Sequence, residues 1–254
     1  MSITGTDAVN VVTVEEMTMV YGDLVAVKGI DLTLKAGEVR GLLGGNGAGK
    51  STTLKVLGGV MKPTSGLVQV DNNNMRIFKG GNNARKVLGY CPDVGGLISG
   101  ATPIEHVKLL ATLHGDRELY TRGVKEIERF GLNEFRDTPA SGFSHGMSRR
   151  LSVLLASLTA KKLLILDEPF DGVDPFGVDI INTLIEETRQ RGAAVILSTH
   201  LQNLLTDVSD TITIMKSGTV VATLPSSDLE GAAGTLVYRE YLAENVSEKA
   251  TTGE

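Results

Sequence analysis

Residues Gly44 to Ser51 read GGNGAGKS and fit the pattern G-x-x-x-x-G-K-[ST]. Gly44, Gly45, Asn46, Gly47, Ala48 and Gly49 can turn their backbone N–H groups inward and form a concave nest for phosphate oxygens, because glycine enters the necessary backbone conformations without a Cβ clash. An apolar run, EVRGLL, leads into this loop, and STTLKVLGGV leaves it with helical spacing, so a helix N-terminus adds its positive end to the nest. In that setting Lys50 reaches β- and γ-phosphates, Ser51 is a Mg²⁺ ligand, and Thr52 completes the cradle. A second constellation lies in LLILDE, an apolar strand ending in two carboxylates. Asp167 suits Mg²⁺ held opposite Ser51, and Glu168 suits the orientation or deprotonation of a water attacking a γ-phosphate. The C-terminal end of a buried strand is where an open α/β sheet places its site.

Those residues need a sheet to carry them. VVTVEEMTMVY and IDLTL alternate like strands, and GLVQV and KVLGY are shorter runs of the same kind. KLLILD and AAVILST bracket a helix that starts at Asp174 and Pro175, and TITIMK with TVVATL predicts a hairpin around Ser217 and Gly218. Short apolar strands separated by helices imply an α/β fold with a buried parallel sheet. From about residue 101 to 160 the pattern is helical and reads as an insertion; its first helix opens with Thr102 as N-cap, Pro103 next and Glu105 completing a capping box. The asparagines at 72–74, 82 and 83 read as solvated loop, and residues 1–9 and the final VSEKATTGE as frayed ends.

Composition excludes several alternatives. The chain has 254 residues, 41% of them hydrophobic, which is enough to bury a core and argues against intrinsic disorder. One cysteine excludes an intramolecular disulfide scaffold. The formal charge of −5 argues against sequence-independent nucleic-acid binding. The longest apolar candidate, LSVLLASLTAKKLLILDEP, is interrupted by Lys161 and Lys162, short of the ~18–20 residues a spanning helix needs. No leader or lipidation motif is recognisable, so any link to a membrane is expected to come through a partner.

Beyond these motifs, the sequence resembles the nucleotide-binding subunit of an ABC transporter over about residues 11–224, and the segment between the two motifs is the diagnostic part. FSHGM, Phe143 to Met147, resembles the family's signature motif. The resemblance implies a P-loop NTPase fold: a RecA-like, mostly parallel core, an antiparallel β subdomain, and a helical subdomain inserted at about 95–160. Residues 225–254 would be a short C-terminal extension with a partly disordered tail. It also implies ATP and Mg²⁺ as cofactors and two subunits packed head to tail, in a homodimer or a heterodimer. Ser144 and Gly146 would then contact the γ-phosphate of the opposing site, Tyr21 would stack on adenine, and His200 would be the switch histidine. GVDP, Gly172 to Pro175, resembles the loop that crosses the dimer interface. The expected partner is a transmembrane permease subunit docked beside residues 93–106, with no nucleic acid involved. The expected location is cytoplasmic, peripheral on the inner face of the plasma membrane, and the likeness is to the drug, lipid and polysaccharide exporter branch. The alternative within this superfamily is a soluble ATPase of DNA repair or translation, which usually carries coiled coils, zinc modules or tandem domains that this chain lacks.

Three positions depart from the family pattern. Asp93, in GYCPD, stands where the family usually has Gln, and offers an oxygen to Mg²⁺ or water but no amide donor. His145 replaces the first signature Gly and adds a side chain where the opposing phosphate should approach. Gly45 replaces a usual Pro. Lys50, Ser51, Asp167, Glu168 and His200 are intact, so hydrolysis is expected to survive.

Overall fold

The computed structural model describes residues 10–76 and 82–243; both predicted frayed ends fall outside that range. Two sheets organise the chain. The first, in the order β2-β1-β4-β5, is antiparallel and comprises β1 (Asn10–Tyr21), β2 (Leu24–Lys35), β4 (Ser65–Val70) and β5 (Asn73–Asn74). The second has the order β10-β9-β3-β8-β7-β6. It comprises β3 (Val39–Leu43), β6 (Leu88–Cys91), β7 (Leu163–Asp167), β8 (Ala194–Thr199), β9 (Thr211–Lys216) and β10 (Thr219–Pro225). Every pairing in it is parallel except the β9–β10 hairpin.

The central parallel strands β7 and β8 are apolar until their C-terminal ends because both of their faces are covered. Side chains alternate across a strand, and here the alternation sorts them into two cores. Leu164, Leu166, Val195 and Leu197 face the helical side, with Val153, Leu154 and Ile181. Leu163, Ile165, Ala194 and Ile196 face the other, with Leu54 and Leu57 and with Val12, Val14 and Leu34 of the antiparallel sheet. Helix α1 (Lys50–Leu57) follows β3, and α5 (Pro175–Gln190) links β7 to β8, capped by Asp174, whose carboxylate accepts from Gly177 N at 2.8 Å.

The helical insertion holds α2 (Pro103–His114), α3 (Arg117–Arg129) and α4 (His145–Thr159). The Thr102 capping box forms as expected, with both reciprocal bonds present. The insertion docks where α4 lies on β6, and the contact is close enough that a Cβ at Gly89 would overlap the Ala156 carbonyl oxygen. Beside it, buried Cys91 donates its thiol to Ser152 Oγ at 3.2 Å. Burial pushes that thiol above its ordinary range.

One reading changes. The asparagine cluster is not all loop: Asp71 and Asn72 have φ of 48° and 61°, the signature of a tight hairpin turn, and Asn73–Asn74 return as β5 against β4. The C-terminal extension contains α7 (Gly231–Ala243), after the short α6 (Gln202–Thr206), and Val237, Tyr238 and Tyr241 of α7 pack on the core. Among the described residues no helix is long and apolar enough to cross a membrane.

Gly89→Ala is expected to destabilise the protein by about 3 kcal/mol, near the top of the range for overpacking against an unyielding backbone. A urea unfolding midpoint unchanged from wild type would contradict the tight β6–α4 docking.

Candidate functional site

Four parallel strands deliver their C-terminal ends to one place. β3 runs into the glycine loop, β7 ends at Asp167 and Glu168, β8 leads to His200, and β6 leads to Pro92 and Asp93. A pocket of about 400 Å³ opens there, lined by Gly45 to Thr52, Asp93, Glu168, Asp171 and His200. The sequence-predicted loop, acids and histidine are therefore brought together.

The loop is shaped by glycines with positive φ, 77° at Gly47 and 101° at Gly49, the latter capping α1. A side chain at Gly44 would overlap the Met215 carbonyl of the neighbouring β9, so the loop lies flush on the sheet. Lys50 is buried and donates to the Gly44 carbonyl at 2.7 Å, with Glu168 Oε1 at 3.7 Å. The cation is thus fixed at the mouth of the nest, where an incoming anion could exchange for these contacts.

Asp167 is fully buried. Its Oδ1 accepts from Ser51 Oγ at 3.0 Å and from Ser198 Oγ at 2.6 Å, while Oδ2 has no hydrogen-bond partner. Burial raises its carboxyl pKa; the Ser198 and Ser51 hydroxyls pull it back, and the nearby Asp93 and Glu168 charges raise it further. An orphaned carboxylate oxygen beside a serine hydroxyl fits an oxygen-seeking cation such as Mg²⁺. No group of three or more His, Cys, Asp or Glu side chains among the described residues could hold a metal unaided. A cation here would draw further oxygens from a bound phosphate.

Glu168 sits at φ 49°, in the left-handed region unusual for a side-chain-bearing residue. Its N–H donates to the Ser198 carbonyl at 3.1 Å, and its Oε2 lies 3.2 Å from His200 Nδ1. Strain held by such bonds is characteristic of pre-organised sites. The carboxylate is fixed between Lys50 and His200, facing the pocket.

Other predicted residues lie elsewhere. Tyr21 is on the surface at the end of β1, its hydroxyl donating to Met61 Sδ at 2.9 Å, and it does not line the pocket. Ser144 caps α4 by accepting from Met147 N at 3.2 Å; neither it nor Gly146 lines the pocket. The His145 side chain lies against its own chain, with Nε2 2.8 Å from Asp171 Oδ2.

Three residues escaped the sequence reading. Ser198 ties Asp167 to β8, and Asp171 lines the pocket. Buried Arg149 of α4 donates to the Pro92 carbonyl at 2.8 Å and the Asp167 carbonyl at 3.3 Å, and pairs with Asp93 Oδ1 at 3.3 Å. Its signal was partly available: Arg149 stands three and four residues before Ser152 and Val153, which are buried on the same face of the helix.

Fold and site together define a nucleotide-binding cassette with ATPase chemistry: a parallel-sheet P-loop core with an antiparallel sheet and a helical insertion. The family model described as "ABC transporter" matches residues 27–171, and the chain belongs to that family. Among curated relatives, it is 30% identical to the lipopolysaccharide export system ATP-binding protein LptB of Haemophilus influenzae, over 84% of this chain and 90% of that one. It is 33% identical to human ATP-binding cassette sub-family A member 10 over 87% of this chain, but spans only 14% of that much longer relative. A solved ATP-binding subunit of an ABC transporter superposes with a TM-score of 0.83 at 28% identity, covering 91% of this chain and 99% of that one.

The raised Asp167 pKa has a consequence for stability. Its folded-state value lies above the unfolded one, so stability is greatest below the unfolded value and is lost as pH rises through the folded one. Asp167→Asn keeps an acceptor for both hydroxyls and carries no charge. In chelator and without nucleotide it is expected to melt above wild type at neutral pH, by roughly 2–4 °C per kcal/mol recovered. The gap should close toward pH ~4. Thermal melts at several pH values check this, and a variant melting below wild type at neutral pH would contradict it.

Proposed function

We propose that this chain binds ATP with Mg²⁺, hydrolyses it, and uses the cycle to drive a separate membrane-spanning partner in the export direction. The observation that carries the reading is the cluster at the sheet edge: Lys50 in its glycine nest, Asp167 with one free buried oxygen beside Ser51, and Glu168 fixed between Lys50 and His200.

In this reading the N–H groups from Gly45 to Ser51 hold the phosphates, and Lys50 moves from the Gly44 carbonyl to the β- and γ-phosphates. Mg²⁺, held by Ser51, Asp167 and, on the β6 side, Asp93, would neutralise charge on the phosphate oxygens. Glu168 orients the attacking water and accepts its proton, while His200 keeps that carboxylate in place and faces the γ-phosphate. Tyr21 provides the flat surface for adenine. Ser144 and Gly146, at the N-terminus of α4, serve the site of a second copy or a related subunit packed head to tail.

The cassette then covers residues 11–224, with the helical part at about 95–160, and the extension begins at residue 225, with Val237, Tyr238 and Tyr241 packed on the core. The position in this reading is cytoplasmic, at the inner membrane face, held there by the permease; membership of the ABC transporter family supports attachment through such a partner. The export direction rests on likeness to the lipopolysaccharide export protein.

The test is Mg²⁺-dependent ATP hydrolysis by the purified chain with its membrane partner. Lys50→Ala is expected to lower the rate by about 10² or more, because it removes charge stabilisation from the transferring phosphoryl group. Glu168→Gln should bind ATP, turn over slowly and accumulate as a nucleotide-bound dimer on gel filtration. Unimpaired hydrolysis by Lys50→Ala would refute the assignment.

A further inference from the structure

The departure from the signature pattern at His145 has a partner within the chain. Its Nε2 lies 2.8 Å from Asp171 Oδ2. Asp171 also lines the phosphate pocket with Glu168 and His200. The Asp171 N–H donates to the Glu168 carbonyl at 3.2 Å, so the turn from Glu168 to Asp171 behaves as one unit. One carboxylate therefore touches both the catalytic pocket and the first turn of α4.

The backbone is fitted to this contact. Gly172 has φ 68°, and a Cβ there would overlap the His145 ring at Cδ2. A Cβ at Gly146 would lie 2.5 Å from the Gly172 carbonyl oxygen. Any side chain at either glycine would push the signature turn off the loop behind Glu168. Glycine at both positions and histidine at 145 are thus parts of one docking arrangement.

We propose that His145 is a positioning residue for ATP hydrolysis: it clasps Asp171 and holds the signature residues Ser144 and Gly146 in register with the loop behind Glu168 of the same chain. The proposal rests on the function proposed above, in which those signature residues serve a neighbouring site. The clasp then ties the geometry of one catalytic loop to the signature face offered to the other site. Both side chains are about half exposed, at 60% and 50%, so the pair contributes little to stability in the single chain. Its effect is on geometry, and small misplacements of groups around a reacting phosphate are costly in rate.

Steady-state kinetics of the full chain with its membrane partner test this. His145→Ala should lower kcat about fivefold or more through misplacement. The KM for ATP should stay within about twofold, since the Lys50 loop is untouched. His145→Gln, whose amide N–H can replace Nε2–H, should recover most of the rate. Asp171→Ala should match His145→Ala, and the double variant should lose no more than either single one, as expected for two groups acting as a unit. An unchanged kcat in His145→Ala, a His145→Gln variant no better than Ala, or losses that multiply in the double variant would each overturn the proposal. A wild-type chain that hydrolyses no ATP would instead sink the functional reading. The clasp itself is then read from the His145 ring nitrogen resonances. They should shift on Asp171→Asn and not on Asp207→Asn, and an unmoved signal overturns it.

Discussion

A buried carboxylate that is only half satisfied governs this structure. Asp167 accepts from Ser51 at the start of α1 and from Ser198 on β8, so one oxygen joins the phosphate loop, β7 and β8. Burying such a group is costly unless its charge is compensated. The fold supplies two hydroxyls to one oxygen and leaves the other without a partner. The site is therefore under an electrostatic tension that a bound cation would relieve. The apolar strands, the two-sided core and the close packing of Gly44 on β9 hold that tension in place.

Around this centre the two halves of the chain meet in unequal ways. The sheet core contributes groups that line the pocket directly: the loop, Lys50, Glu168 and His200. The helical insertion contributes groups that act through others. Arg149 reaches from α4 across to the Pro92 and Asp167 carbonyls, and His145 reaches from the same helix to Asp171. Both arise from one helix, so movement of α4 would be felt at β6, at β7 and behind Glu168 together.

Much of this was legible in the sequence because it depends on local rules. Glycine spacing marks the loop, apolar runs ending in acids mark β7, and cap residues mark the starts of α2 and α5. The roles of Ser198, Asp171 and Arg149 were not legible. Each depends on a partner far along the chain, 31 residues away for Ser198 and Asp167 and 56 for Arg149 and Asp93. His145 shows the same limit: its type and place could be read, but the direction of its side chain depends on Gly172 leaving space. The asparagine hairpin was missed for another reason, since Asp71 and Asn72 can adopt the positive φ that composition alone assigns to loop.

The single cysteine gives the molecule a built-in reporter. Cys91 lies under α4, with its thiol bonded to Ser152 and its ionisation suppressed by burial. Only the thiolate reacts with alkylating reagents, so labelling is blocked while α4 covers β6. With no other thiol in the chain, the rate of modification measures how often the helical insertion lifts from the sheet. Interdomain breathing in this protein can thus be timed chemically, without introducing a probe.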